Sequence, residues 1–269
     1  MELKINFLNQ KPLTTIPIDY QYYLSSWLYG IMKEGDSQYA TFLHDQGYAS
    51  DKAGKFFKLF CFSNLHLQDF QINKHNATIA VKGEILSMKL RFLADDAVEN
   101  FVKGLFINQK LSLKNGFNSM AEFDVNMVST KRVEVDKESV KIKMMSPLVL
   151  STKDDRGMDQ YAHPMDEGYE ALFFRNLLDK YSATGQDFDP AWQNATMSLE
   201  IMNQEKIKSK LVMIKGDTKQ ETRVRGYLFD FILEAPKPLI EVGLLGGFGK
   251  ECGMGFGFGE VINIQSESK

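Results

Sequence analysis

Seven of the fourteen residues from Gly246 to Gly259 are glycine, and Lys250 sits among them. Glycine at this density suits a backbone that takes positive φ or lies against a ligand, and it weakens the interior of a helix or strand. Successive N–H groups in such a loop can form a concavity for an anion, with the lysine adding charge, so the chemistry indicated is the holding of a phosphate. Two nucleotide motifs fail. A Walker loop needs glycine where the chain has Leu244 and Ser or Thr where it has Glu251. A dinucleotide fingerprint should follow an early strand and open a helix, whereas this loop runs into a last apolar run at Val261 to Ile264. The phosphate class left is a nucleic-acid backbone.

A second set of polar groups lies near the amino end. His44 falls off the apolar stripe of a short helix that Asp36 caps and Gly47 stops, and the basic stretch Asp51-Lys52-Ala53-Gly54-Lys55 follows. This places His44 and the lysines in one neighbourhood. On the residues alone His44 also fits a surface histidine at a helix end. His66, His75 and His163 stand in polar surroundings and read as solvated.

The elements that must position these groups follow from periodicity. Lys4 to Leu8 reads as a strand. After Asp19, a candidate N-cap, Tyr20, Tyr23, Leu24, Trp27, Leu28 and Ile31 form one helical stripe, and Tyr29 falls opposite them on a polar face with Tyr22, Ser25, Ser26 and Lys33. Phe56 to Phe62 reads as a central strand. Thr78 to Val81 and Ile85 to Phe92 read as a hairpin, Asp95 to Phe106 as a helix and Phe123 to Val128 as a strand. The order β-α-β-β-α-β is that of a ferredoxin-like unit.

In the second half, Val133 to Val135 and Val140 to Met144 predict a hairpin, and about Pro164 to Tyr181 a helix. Strands are expected at Thr196 to Ile201, Lys210 to Lys215 and Arg223 to Leu233, and a helix from Pro238 to Leu245 delivers the glycine loop. The expected architecture is therefore α+β, two tandem ferredoxin-like (RRM-like) domains at 1–130 and 131–269.

With 269 residues, 43% of them apolar, the chain is long enough for two cores. A net charge of −3 argues against a general nucleic-acid binder, so any RNA surface is local. The densest basic tract is Lys206, Lys208, Lys210, Lys215, Lys219, Arg223 and Arg225, which fits either a solvated strand face or phosphate contact. The two cysteines, Cys61 and Cys252, lack zinc spacing, so no metal is expected. No apolar stretch approaches a membrane span, and a cytoplasmic protein is expected.

Gly247-Phe248-Gly249, then five residues including Lys250, then Gly255-Phe256-Gly257, resembles the glycine-rich signature of the repeat-associated RNA-binding proteins of CRISPR systems. Its place between a last helix and a last strand is similar in particular to the CRISPR-associated repeat-processing endoribonucleases, the Cas six family. The tyrosine-rich first helix, His44 soon after it, the strand Phe57 to Phe62 and Met144 to Leu148 extend the resemblance over most of the chain.

The resemblance implies an enzyme that cuts precursor CRISPR RNA within each repeat without metal or cofactor. The RNA's 2′-hydroxyl attacks the adjacent phosphate, leaving a 2′,3′-cyclic phosphate and a 5′-hydroxyl. It further implies His44 as general acid or base, with Tyr29 and Lys52 (Lys55 the alternative) as aligning or charge-stabilising groups. The expected RNA contacts are Gly247, Gly249, Lys250, Gly253, Gly255 and Gly257, together with Arg223 and Arg225 from the basic tract. The rival is a non-catalytic RNA-binding subunit of a CRISPR effector complex. Whether the protein acts as a homodimer or within such a complex is left open by the sequence.

Overall fold

In the computed structural model, residues 1–51, 54–115, 118–214 and 221–262 are described. Lys52, Lys215, Lys219 and the end of the last apolar run lie outside them. The first strand, Glu2–Leu8, buries Leu3, Ile5 and Phe7 completely and exposes Lys4, the period-two pattern of a strand with one face on a core. Full burial of each such side chain contributes about 1.5–3 kcal/mol. The strand pairs antiparallel with Ile85–Phe92 on one side and Asn118–Lys131 on the other. Phe60–Phe62 completes a fourth-first-third-second strand order, with Lys110–Asn115 and His66–Leu67 added to it.

Three helices belong to this unit: α1 (Gln21–Gly35), α2 (Ser37–Asp45) and α3 (Asp95–Ile107). Helices α1 and α3 cross without room for a side chain. A Cβ on Gly35 would lie 2.0 Å from the Asn100 carbonyl oxygen, and one on Gly104 would lie 1.7 Å from that of Ile31. Trp27 locks α1 to the sheet, donating to the Lys110 carbonyl at 2.7 Å and packing edge-on against Phe7 and Phe101.

The second half repeats the plan. Ser139–Met144 is flanked by Asp230–Glu234 and Gly259–Val261, and Ser198–Met202 lies outside Asp230–Glu234, again second-third-first-fourth. Helices α4 (Tyr169–Ser182) and α5 (Lys237–Gly246) cover it. Its core, built from Ile142, Phe173, Leu177, Phe231, Leu233 and Phe248 among others, is separate from that of the first unit. The hairpin Lys208–Ile214 with Thr222–Leu228 is inserted between the second and third strands. The architecture is thus two tandem ferredoxin-like folds. Among the described residues no helix is long and apolar enough to cross a membrane.

Several local expectations differ from the structure. Thr78–Val81 pairs with Thr14–Pro17 and Phe70–Asn73, not with Ile85–Phe92. Asn9 accounts for this: its amide donates to the Val81 and Gly83 carbonyls and its oxygen accepts from Thr14, so the chain turns a corner at Lys82 to Glu84. The run Phe56 to Phe62 is broken at Leu59, whose φ is 51°. Phe56–Phe57 pairs with Tyr48–Ala49, and Phe60–Phe62 forms a sheet edge rather than a centre. Val133 and Val135 pack on the second core without forming a strand. Helix α4 starts at Tyr169 because Gly168, at φ 79°, follows a turn in which the Asp166 carboxylate accepts from the His163 N–H. The residue before α1 is Tyr20, with no side-chain cap from Asp19.

Candidate active site

Helix α2 is started by Asp36, whose carboxylate accepts from the N–H groups of Gln38 and Tyr39, both at 2.9 Å. Ala40 and Leu43 bury its inner face, which leaves His44 on the outer side of the last turn. Gly47 ends the segment at φ 79°, where a Cβ would meet the Phe57 carbonyl oxygen at 2.6 Å. His44 is 69% exposed, and its Nδ1 lies 2.7 Å from Asp45 Oδ1. A carboxylate at Nδ1 holds a proton there and leaves Nε2 for a substrate.

The ring of Tyr29 meets that of His44 edge-on, with centroids 5.3 Å apart, and meets Phe60 in the same manner at 5.8 Å. Helical geometry does turn Tyr29 away from the apolar stripe, but it is half-buried, because the glycine loop packs against the part of that face that carries Ser25 and Tyr29, while Ser26 and Lys33 stay exposed. Ser25, on the same side, is buried and donates to the Gly253 carbonyl at 2.6 Å, and Tyr22 packs near Phe256 and Met254. Burial, and next the Glu251 carboxylate, hold the Tyr29 hydroxyl pKa well above the usual phenol range, so it keeps its proton.

Lys58 belongs to the same cluster and is absent from the sequence-based set. Its ammonium donates to the His44 carbonyl at 2.7 Å and to that of Gln46 at 3.4 Å, closing the carboxy-terminal end of α2. Burial lowers its pKa, while Asp45 and Glu251 oppose that shift. The available signal was a lysine interrupting the apolar run Phe56 to Phe62. Lys52 lies outside the described residues. Lys55 turns to the second unit, where it pairs with the buried Asp179 of α4.

The glycine loop turns much of its backbone toward the protein itself. Gly247, Gly249, Gly255 and Gly257 do have positive φ, from 73° to 92°. Yet the N–H groups of Phe248, Lys250, Met254, Gly255 and Gly257 donate to protein carbonyls, to Gly257, Val149, Glu251, Cys252 and Pro147 respectively. Cβ atoms would collide at most positions: 2.6 Å from Cys252 Sγ at Gly247, 2.4 Å from the Val149 oxygen at Gly249, and 2.2 Å from the Phe248 oxygen at Gly257. At Gly253 a Cβ would sit 3.5 Å from the Tyr29 hydroxyl. The glycines let the loop fill the seam between the two units, and these five N–H groups bond inside the protein.

Arg91 crosses the same seam. It pairs with Glu2 at 2.6 Å, donates to the Gly259 carbonyl at 2.6 Å, and lies 4.2 Å from the centre of the Phe258 ring.

What the loop offers outward is Lys250, half-buried, and the exposed Glu251. Lys250 donates to Ser151 at 2.8 Å and stands 3.8 Å from the Asp159 carboxylate. Burial lowers its pKa against the pull of Asp159. Ser151 pairs with Tyr161, whose hydroxyl donates to the Arg223 carbonyl, so contacts run from the loop to the inserted hairpin.

Arg223 and Arg225 are exposed there, with Arg225 donating to Ser209 at 2.9 Å. Both arginines stand on one face of the hairpin, opposite Met213 and Leu211 of the neighbouring strand. Lys208 and Lys210 alternate onto the other face, so among the described residues of this hairpin the basic side chains are divided between its two faces. His66 and His75 are exposed, whereas His163 is half-buried edge-on to Tyr227 at 4.9 Å. Among the described residues no group of three His, Cys, Asp or Glu side chains is placed to hold a metal ion.

Comparison with known proteins places two adjoining family models on this chain. One, for the N-terminal part of CRISPR-associated protein Cas6, matches residues 15–129, and the other, for its C-terminal part, matches residues 129–261. The CRISPR-associated endoribonuclease Cas6 1 of Methanocaldococcus jannaschii is 28% identical over 260 residues, covering 95% of this chain and 90% of that protein. Among solved structures, that of a Cas6-related gene product from Pyrococcus furiosus superposes with a TM-score of 0.80 at 18% identity, over 98% of this chain and 99% of that one. A RAMP protein described as binding different RNA substrates superposes at 0.78 with 17% identity, over 98% and 100% of the two chains.

Proposed function

Since the chain belongs to the Cas6 family of CRISPR-associated proteins, we propose that it is an endoribonuclease that cuts precursor CRISPR RNA inside the repeat. Its nucleophile is the RNA's own 2′-hydroxyl, and the products carry a 2′,3′-cyclic phosphate and a 5′-hydroxyl. The observation that carries this reading is the cluster at the seam, where an exposed imidazole, held at Nδ1 by Asp45, touches a phenol that keeps its proton.

His44 Nε2 takes the proton from the 2′-hydroxyl or, once protonated, delivers one to the leaving 5′-oxygen. The Tyr29 hydroxyl donates to a non-bridging oxygen of the phosphate, and a lysine supplies the charge that the crowded phosphate needs. The family resemblance assigns that part to Lys52, with Lys55 as the alternative. Lys58 holds the end of α2 that bears His44.

The boundary between a catalytic unit and an RNA-holding unit is placed at residue 130, so the domains are 1–130 and 131–269. Lys250, with the exposed Arg223 and Arg225, contacts the RNA backbone, and the glycines shape the loop that presents Lys250.

The chemistry is complete without a metal, because the RNA supplies the nucleophile and side chains move the protons. Repeat RNA incubated with the protein in excess EDTA is therefore expected to be cut at one position at an undiminished rate, with a cyclic phosphate on the upstream fragment. Cleavage that stops in EDTA and returns with added magnesium, or a 5′-phosphate on the downstream fragment, overturns this mechanism. Binding without cutting assigns the chain to the non-catalytic alternative.

A further inference from the structure

Asp51 and Lys55 bracket Lys52, and both are tied to the second unit at a single turn of α4. The Asp51 N–H donates to Ser182 Oγ at 2.9 Å, and that hydroxyl donates back to the Asp51 carboxylate at 2.5 Å. Lys55 pairs with Asp179, whose side chain is 4% exposed. Between these two anchors in the sequence, Lys180 reaches the other way. Its buried ammonium donates to the Gly247 carbonyl, to that of Gly246 at 3.3 Å and to Cys252 Sγ at 3.2 Å. One helical turn, Asp179 to Ser182, thus grips the segment after His44 with one set of side chains and the glycine loop with another.

We propose that this turn of α4 is the positioning element of the active site, with the Lys55–Asp179 pair as its clasp, so that the RNA-holding unit sets where Asp51 and Lys55, and through the paired Tyr48–Ala49 and Phe56–Phe57 also Lys58 at the His44 carbonyl, stand relative to His44. The inference rests on the reading of His44 and this segment as catalytic. Lys55 is then a positioning residue and not a phosphate ligand: its ammonium is directed to a carboxylate of the other unit. Holding a reacting group to within about 1 Å is worth up to roughly 10²-fold in rate, so a slack clasp slows the chemical step and leaves RNA affinity in place.

Single-turnover cleavage and RNA affinity are measured for the full chain, Lys55→Met, Lys55→Arg and His44→Ala. The expected result is a rate lowered by about 10- to 100-fold in Lys55→Met, with affinity within about threefold of the parent, and near-parental cleavage by Lys55→Arg, which keeps the ion pair. An unchanged rate in Lys55→Met overturns the proposal. So does a loss shared equally by Lys55→Arg, which places the ammonium in the chemistry, or a parallel fall of rate and affinity, which reduces the pair to holding the fold. If Lys55→Met does not fold, Ser182→Ala, which removes only the Asp51 anchor, is read by the same criteria. An inactive His44→Ala beside a fully active Lys55→Met defeats the clasp alone, whereas an active His44→Ala defeats the catalytic reading beneath it.

Discussion

His44→Ala is expected to lower repeat-RNA cleavage by about 10²–10⁴-fold, the usual contribution of general acid–base catalysis, with RNA affinity changed by less than about threefold. The structure makes this a clean experiment. His44 is 69% exposed, its ion-pair partner Asp45 is 62% exposed, and its ring contact with Tyr29 is one edge at 5.3 Å. Truncation opens no core cavity, and an exposed pair contributes about 0–1 kcal/mol, so the melting temperature should stay close to that of the parent. Gel-resolved cleavage and filter binding on the same preparation give both numbers. A variant that still cuts at the parental rate removes His44 from the mechanism and leaves Tyr29 and the lysines without a proton acceptor beside them.

Gly249→Ala is expected to act through the fold, lowering stability by about 2–5 kcal/mol, the sum of a left-handed backbone strain and an overpacked contact. Gly249 has a φ of 81°, and a Cβ there would lie 2.4 Å from the Val149 carbonyl oxygen, which is also the acceptor for the Lys250 N–H at 2.7 Å. The methyl group must push away the bond that seats Lys250. For a chain of this size the melting temperature falls by roughly 5–15 °C. Below that transition RNA binding should weaken far less than stability does. A variant that melts like the parent but loses RNA binding would mean the opposite, that the backbone at Gly249 meets the RNA itself.

The strand and helix order was readable because it follows from period alone. Leu3, Ile5 and Phe7 alternate, Leu24, Trp27, Leu28 and Ile31 recur at helical spacing, and each set is buried as its period requires. Pairing partners were less legible. Thr78–Val81 and Ile85–Phe92 are separated by a turn-like triplet, and what diverts the first of them is the side chain of Asn9, some seventy residues earlier.

The site divides in the same manner. His44 and Tyr29 stand on elements whose period locates them, and the structure brings the two rings together. The polar face of α1, however, meets another polar surface, the carbonyl-rich glycine loop, and hydroxyl-to-carbonyl docking such as Ser25 to Gly253 leaves no hydrophobic trace in a sequence. Lys58 was hidden for a related reason, since it acts on the carbonyl of His44 and not on its ring. The glycine count was legible as a need for close backbone approach, but composition does not say whether the approaching backbone is RNA or protein.

The chain's two cysteines turn the seam into a gauge. Cys61 comes from the edge strand of the first unit and Cys252 from the glycine loop of the second, and they are packed with Phe258 in one buried cluster. Burial pushes the Cys61 thiol up to about 12 and raises that of Cys252, so neither supplies the thiolate that alkylating reagents need. Labelling must then wait for the two halves to part, and its rate counts those partings. Iodoacetamide should modify the intact protein slowly, at both positions together, and the Gly249→Ala variant much faster at a temperature where its helices still report a folded chain. Rapid labelling of the parent protein shows instead that the halves separate readily, and that an incoming RNA meets a hinge and not a fixed cleft.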